Sequence, residues 1–385
     1  MASEDLSSAP TCNLRMIGAA RYIPRAQWDA LARRGYHRHA WFSAAESSGA
    51  EPRHVGVFRG SQLLVVIPAY LERKVLDGDP YSRWLGATSR IAATLGAPLR
   101  SALTIGAPLS ASSDVLGDRE VLTDAVLDEA LELLESEARA ERVKAIVWPF
   151  VDANATPIRE AARRRGFHEG LATSGAVMDV DWTSPQEYLE SRPKGVQRTL
   201  RNELAWVHDQ GVHFTWESDL RTHAETFDAL YRASYVARNG RVATLAFNFF
   251  RELAAQSSEG VRVQCAWKGK TLLAMGVALD AGGRLDLCLR AQTDETRDSL
   301  LTPHCLCYDP VAVAIAEGIT RIDLGPGALV AKLHRGARLN SRVTLVRGLA
   351  PAARAAVRVL TPLTNVRNRA RHRRLLEQIT SSASP

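Results

Sequence analysis

The sequence predicts a mixed α/β (α+β) protein of two similar units followed by a basic helical tail, and three observations lead there. Short apolar runs of strand type alternate with stretches whose apolar residues recur at helical spacing, the pattern of sheets covered by helices. The same order of runs recurs in the second half of the chain, in pattern rather than as an aligned repeat. The 385 residues, 46% apolar and 24% charged, also exceed the roughly 250 that one hydrophobic core usually serves. The predicted units are 1–182 and 183–350, with the tail at 351–385.

In chain order, HVGVF (54–58), LLVVIPAYL (63–71), KAIVWPF (144–150) and SGAVMDVDW (174–182) read as strands, since their apolar residues alternate or run on between polar breaks. Between them, residues 118–141 set Val121, Ala125, Leu127, Leu131 and Leu134 at helical spacing, and a shorter helix over 157–165 stops at Gly166. The polar stretch TSPQEYLESRPKGVQ (183–197), with its capping residues, marks the domain boundary. Helices near 196–209, 221–238 and 246–256 follow, then strands VRVQCAWK, TLLAMGVALD and RLDLCLRAQ. Asp309-Pro310 predicts the next helix start, with Asp as cap and Pro at the first helical position, and Gly318 its end. TRIDLG and NSRVTLVRG supply the last strands.

No apolar run approaches the roughly 20 residues that span a bilayer, and the acidic, polar start lacks the features of a signal peptide, so a cytoplasmic protein is expected. Five cysteines without a CxxC pair read as reduced thiols, and no metal site is expected. The net charge of +7 is uneven: from Pro351 on, seven arginines face one acid, leaving about +1 for the first 350 residues. That tail suits phosphate contacts through Arg367, Arg369, Arg371, Arg373 and Arg374; it equally suits a solvated helix with cations near its C-terminus.

Two stretches carry candidate chemistry. In IDLGPGALVAKLHRG (322–336), strand alternation puts Ile322 and Leu324 on one face and Asp323 on the other, at the carboxyl end of a strand where open sheets bind ligands. Gly325 and Gly327 open a loop whose N–H groups suit an anion, while Lys332 and Arg335 add charge; the plainer reading is a turn followed by surface basics. In the helix beginning RPKGVQRTLRNELAW, Val196, Leu200, Leu204 and Val207 form a core stripe, and Lys194, Arg198 and Arg201 share another side. With only Glu203 nearby, these cations either repel one another in solvent or meet an anion. His304 reads as structural, and the scattered aromatics Trp41, Tyr81, Trp84, Tyr231, Tyr235 and Phe250 as core. The chain has no GxSxG, HExxH or GxxxxGK[ST], so hydrolase, zinc-protease and nucleoside-triphosphatase readings fall away.

The closing D-L-G-P-G … K-x-x-R-G, the basic helix ending in Gly211-Val212, and Tyr308 and Gly318 before the strand resemble the Fem-type peptidyl transferases and related tandem GNAT-fold acyltransferases. The resemblance covers about residues 25–348 and implies two tandem GNAT-like domains with the main cleft in the second. It implies transfer of an acyl group from an activated donor, aminoacyl-tRNA in Fem-type enzymes, to an amine of a cell-wall precursor or of a small-molecule antibiotic intermediate. By position, Lys332 would meet phosphate or developing negative charge, Asp323 and Tyr308 would orient the amine or relay its proton, and Lys194, Arg198, Arg201, Gly325, Gly327 and Arg335 would line the substrate channel. No cofactor is expected beyond the donor itself. The chain departs from the family in lacking a long coiled-coil hairpin. The acyl-CoA version of the fold, the alternative donor, has only the formal match Arg15-x-x-Gly18-x-Ala20, without an expected strand before it.

Overall fold

Thr123 sets the first long helix. Its hydroxyl accepts the Val126 N–H at 3.3 Å, so the helix runs over Asp124–Ala140 instead of starting at 118, and turns Leu127, Leu131 and Leu134 inward. The computed structural model describes residues 12–73, 101–110, 112–172, 174–239, 248–256, 260–296 and 301–383. Tyr81, Trp84 and positions 246–247 of an expected helix lie outside them. The run expected over 63–71 divides at Pro68 into Gln62–Ile67 and Ala69–Glu72, which enter different sheets, because proline has no N–H with which to continue a ladder. The start of the chain, expected to be without a strand, forms Asn13–Ile17.

Among the described residues there are three sheets. The smallest joins Asn13–Ile17, His54–Arg59, Gln62–Ile67 and Leu116–Gly117. A six-stranded sheet runs, in spatial order, Glu51–Pro52, Ala69–Glu72, Ala102–Ile105, Ala145–Asp152, Arg342–Gly348, His168–Leu171. A seven-stranded sheet runs Val212–Glu217, Val261–Lys268, Thr271–Asp280, Arg284–Gln292, Arg321–Gly325, Gly175–Asp179, Arg338–Asn340. The class is therefore the mixed α/β one expected.

The two larger sheets share a plan. Each holds a parallel pair, Ala102–Ile105 with Ala145–Asp152 and Arg284–Gln292 with Arg321–Gly325. Parallel neighbours need a crossover, and helices Asp124–Ala140 and Asp309–Glu317 lie in the two connections. The halves then trade strands. Arg342–Gly348 enters antiparallel between Ala145–Asp152 and His168–Leu171, and Gly175–Asp179 enters antiparallel between Arg321–Gly325 and Arg338–Asn340. A cut at 182/183 separates two lengths of chain, but each large sheet keeps a strand from across the cut.

The cores are shared in the same way. One gathers Val55, Val57, Leu131 and Trp148 beneath the Asp124–Ala140 helix. Another mixes Tyr36 and Trp41 of the first half with Phe227, Phe249, Phe250, Val263 and Val277 of the second, and the Trp41 ring meets Phe249 edge-on at 5.0 Å. A third puts Ile322 and Leu324 against Leu200, Tyr188 and Val311, the strand face expected to be apolar.

The tail folds as one helix, Pro351–Ala383. Ala353, Val357 and Leu360 pack on the six-stranded sheet, and a Cβ at Gly348 would fall 2.4 Å from the Arg354 backbone nitrogen, so only glycine admits the helix this closely. Asn365 accepts the Leu171 N–H at 2.6 Å, and Asn368 donates to the Leu171 carbonyl at 2.7 Å. The helix thereby covers the edge strand His168–Leu171, which otherwise offers unpaired backbone groups. Among the described residues no helix is long and apolar enough to cross a membrane.

Leu131 is fully buried in the first core, so Leu131→Ala is expected to lower stability by about 2–5 kcal/mol in urea unfolding. A loss under about 1 kcal/mol would show that this core collapses around the cavity.

Candidate active site

The strand Arg321–Gly325 is flanked by two charged clusters. On one side lies Asp323, buried, its carboxylate accepting from Arg284 at 2.9 Å, Arg342 at 3.2 Å and Arg34 at 3.4 Å, and from the Gly325 N–H at 2.9 Å. Asp286, also buried, accepts from Arg284 at 2.8 Å and from the Gly35 N–H at 3.3 Å. Burial raises the Asp323 carboxyl pKa, but Arg342, Arg34, the Gly325 N–H and Arg284 together outweigh it and hold the group below the ordinary carboxylate value. For Asp286 burial wins over the neighbouring arginines, and its pKa is raised.

Past the strand, Gly325 turns at φ +70°, and the chain re-enters a helix, Leu329–His334, through Ala328 at φ +51°. That helix turns Lys332 back onto the loop it follows. Its Nζ donates to the carbonyl of Leu324 and, at 3.2 Å, to that of Gly325, and the side chain is buried. Burial drives its pKa down from 10.5 to about 8, against the opposing fields of Cys307 and Asp323. Three residues on, Arg335 donates to Glu203 and, at 3.1 Å, to the Tyr308 oxygen, and Tyr308 donates to Glu203. Tyr188 closes the group by donating to the Arg335 carbonyl at 2.8 Å. Burial, reinforced by the bond to Glu203, raises the Tyr308 phenol far above its ordinary value.

The expected residues thus fall into separate places. Tyr308 and Arg335 share one buried cluster with Glu203, so Arg335 is neutralised rather than free, while Lys332 is bonded to the loop carbonyls at the strand end. Asp323 belongs to the arginine cluster on the opposite strand face, and the Gly325 N–H is already given to it; Gly327 is exposed. Lys194, Arg198 and Arg201 line the exposed face of the helix Lys194–Asp209, whose inner face carries Glu203, and Arg201 reaches Gln197 at 3.2 Å. Arg367, Arg369, Arg371, Arg373 and Arg374 are exposed on the C-terminal helix.

Sequence reasoning missed Glu203 as a buried partner, together with Arg34, Arg284 and Arg342. Glu203 left a signal, lying three residues after Leu200 and four before Val207, both buried on the inner stripe. The three arginines left none, since they come from distant parts of the chain. Asp309 does not cap its helix as expected. The helix is entered from a π turn over His304–Tyr308, and the Asp309 carboxylate instead accepts from Trp216 at 2.6 Å and Gln264 at 2.5 Å. His304 stacks on Phe214 with ring centroids 4.4 Å apart, and burial lowers its pKa to about 4.

A carbonyl-bound lysine at a strand end can stabilise negative charge, and the tyrosine–carboxylate pair held by Arg335, three residues on, can move a proton. A family described by its part in peptidoglycan biosynthesis and recognition matches residues 19–379. The chain belongs to this FemAB-like family. It is an acyltransferase of the Fem type, and the family expected from the sequence holds. The FemAB-like chain shares its fold with FemX, at 15% identity and TM-score 0.55, over 84% of this chain and 96% of that one. L-PGS from Bacillus licheniformis is similar at 11% identity and TM-score 0.52, over 84% and 92%. The C-terminal domain of a putative lysylphosphatidylglycerol synthetase from Agrobacterium fabrum follows at 11% identity and TM-score 0.50, over 82% and 89%. No curated protein matches by sequence.

Asp323→Asn removes the buried carboxylate that three arginines share, with Arg284 keeping Asp286, and is expected to cost about 3–5 kcal/mol in chemical unfolding. Lys332 has a folded pKa of about 8 and an ordinary value of 10.5, so between these the unfolded chain binds more protons and stability rises with pH. Comparing wild type with Lys332→Met, the difference should shift in favour of wild type from pH 8 to 10.5; a constant difference would mean that the lysine titrates normally.

Proposed function

We propose that this Fem-type transferase moves an aminoacyl group from aminoacyl-tRNA to an amine acceptor, a cell-wall precursor or a small-molecule antibiotic intermediate, in the cytoplasm. The observation that carries the reading is the buried Lys332 at the Gly325-Pro326-Gly327 loop, three residues before the Arg335 that bonds both Tyr308 and Glu203, in a chain of the FemAB-like family. An aminoacyl ester is already activated, so the reaction needs only positioning, proton removal and oxyanion stabilisation, and calls for no resident cofactor.

In this reading the Lys332 ammonium, still largely protonated at neutral pH, supplies positive charge to the oxyanion when the loop admits substrate. The phenol of Tyr308, held by Glu203, relays the proton leaving the amine. Asp323 fixes the strand end on which the loop hangs, through Arg284 and Arg342. Lys194, Arg198 and Arg201 offer the donor's phosphates an exposed cationic helix face.

The acyl-CoA alternative has less support. Arg15 lies within the strand Asn13–Ile17, its guanidinium 3.7 Å over the Phe58 ring, and only a three-residue turn, Ala20–Tyr22, follows, so no long helix offers its N-terminus to a pyrophosphate.

The test is transfer of label from pooled radiolabelled aminoacyl-tRNAs to an amine fraction of cell extract, with RNase and with acetyl-CoA in parallel. RNase-sensitive transfer is expected; transfer from the thioester alone would replace the proposed donor. Lys332→Met should lower kcat by about a hundredfold or more with the donor KM little changed. Equal losses in both constants would reduce Lys332 to a support for the loop.

A further inference from the structure

The C-terminal helix has a second apolar face. Its inner side, with Ala353, Val357, Leu360 and Thr364, is buried on the six-stranded sheet. On the far side Val359, Leu363 and Val366 recur at steps of four and three and stand 59%, 54% and 69% exposed. At 100° per residue they form one narrow stripe pointing away from the protein. Arginines border it: Arg358, Arg369 and Arg373 fall along one edge, Arg367 and Arg374 along the other, all exposed. Folding does not need this stripe, because the opposite face already anchors the helix.

We propose that this face docks the protein on an anionic lipid bilayer surface. A narrow apolar stripe between two rows of cations suits the boundary of headgroups and acyl chains, where the valines and leucine enter and the guanidiniums meet lipid phosphates. The charge pattern argues against a second copy of the chain, since self-association would bring five arginines against five with only Glu377 to offset them. The aliphatic stripe argues against RNA, to whose phosphates it adds nothing; the tail also has no Phe, Tyr or Trp on which bases could stack. Arg367, Arg369, Arg373 and Arg374, which suit tRNA phosphates by charge alone, are therefore assigned, with their apolar neighbours, to a membrane; Arg371 falls on the inner side of the helix and is not among them. The assignment does not depend on the transfer chemistry proposed above. It places the enzyme at the surface, and among the described residues no helix is long and apolar enough to cross the bilayer.

The experiment is co-sedimentation of the full chain with phosphatidylcholine vesicles and with vesicles carrying about a third phosphatidylglycerol, at low and high salt. Binding to the anionic vesicles only, weakened by salt, is expected. Arg369→Gln/Arg373→Gln and Val359→Ser/Leu363→Ser/Val366→Ser should each weaken it about tenfold or more while thermal unfolding stays that of wild type. Absence of binding to anionic vesicles overturns the proposal. So does binding that the serine variant keeps, that the arginine variant loses and that tRNA competes away, which would make the face a polyanion site. A lipid-free dimer that the serine variant turns into a monomer, without vesicle binding, overturns it in favour of self-association.

Discussion

The carboxylate of Asp323 is the fixed point of the molecule. Three guanidiniums converge on it within 3.4 Å: Arg34 from the first half, Arg284 from the neighbouring parallel strand, and Arg342 from the start of the strand that crosses into the other large sheet. In a buried setting none of these charges is tolerable alone, so the three segments hold together or separate together. The same carboxylate takes the Gly325 N–H and so sets the direction in which the chain leaves the strand. The loop geometry, the return of Lys332 onto it and the seating of the N-terminal segment thus share one electrostatic origin.

Strand exchange makes that coupling structural as well as electrostatic. Each large sheet holds a strand from the other half, and Tyr36, Trp41 and Ala44 of the first half sit in a core they share with the second. Two units joined only by a linker would be expected to move independently. Here, relative motion would break ladder hydrogen bonds in both sheets, so a site carried on one of them inherits the rigidity of both. The Glu203–Tyr308–Arg335 cluster adds a tie of the same kind between the basic helix and the loop beyond Gly325.

Much of the fold was legible in the residues. Alternation put Ile322 and Leu324 on one face, which packs into a core, and Asp323 on the other, and helical spacing found the inner stripe Leu200 and Val207. The errors were local and have local causes. Pro68 split a run that hydrophobicity alone joined, and Asp309 exchanged capping for bonds to Trp216 and Gln264 on strands that only the fold brings near. The Gly-Pro-Gly break before Lys332 was visible in the sequence, but the bonds of its ammonium to the Leu324 and Gly325 carbonyls were not. Arg335 looked like a free cation because Glu203 lies 132 residues away in the chain.

By itself, the sequence determined the alternation of strands and helices, the strand end that bears the Gly-Pro-Gly loop, and the basic, aromatic-free tail. These are set by periodicity, by backbone freedom at glycine and proline, and by composition, all of which act over a few residues. Only the tertiary structure decided which strand crosses to which sheet, which charges neutralise one another, and which face of the C-terminal helix stays in solvent. Those outcomes depend on contacts between residues far apart in the chain, where the cost of burying a charge selects its partner and the shape of the sheet edge selects the helix face.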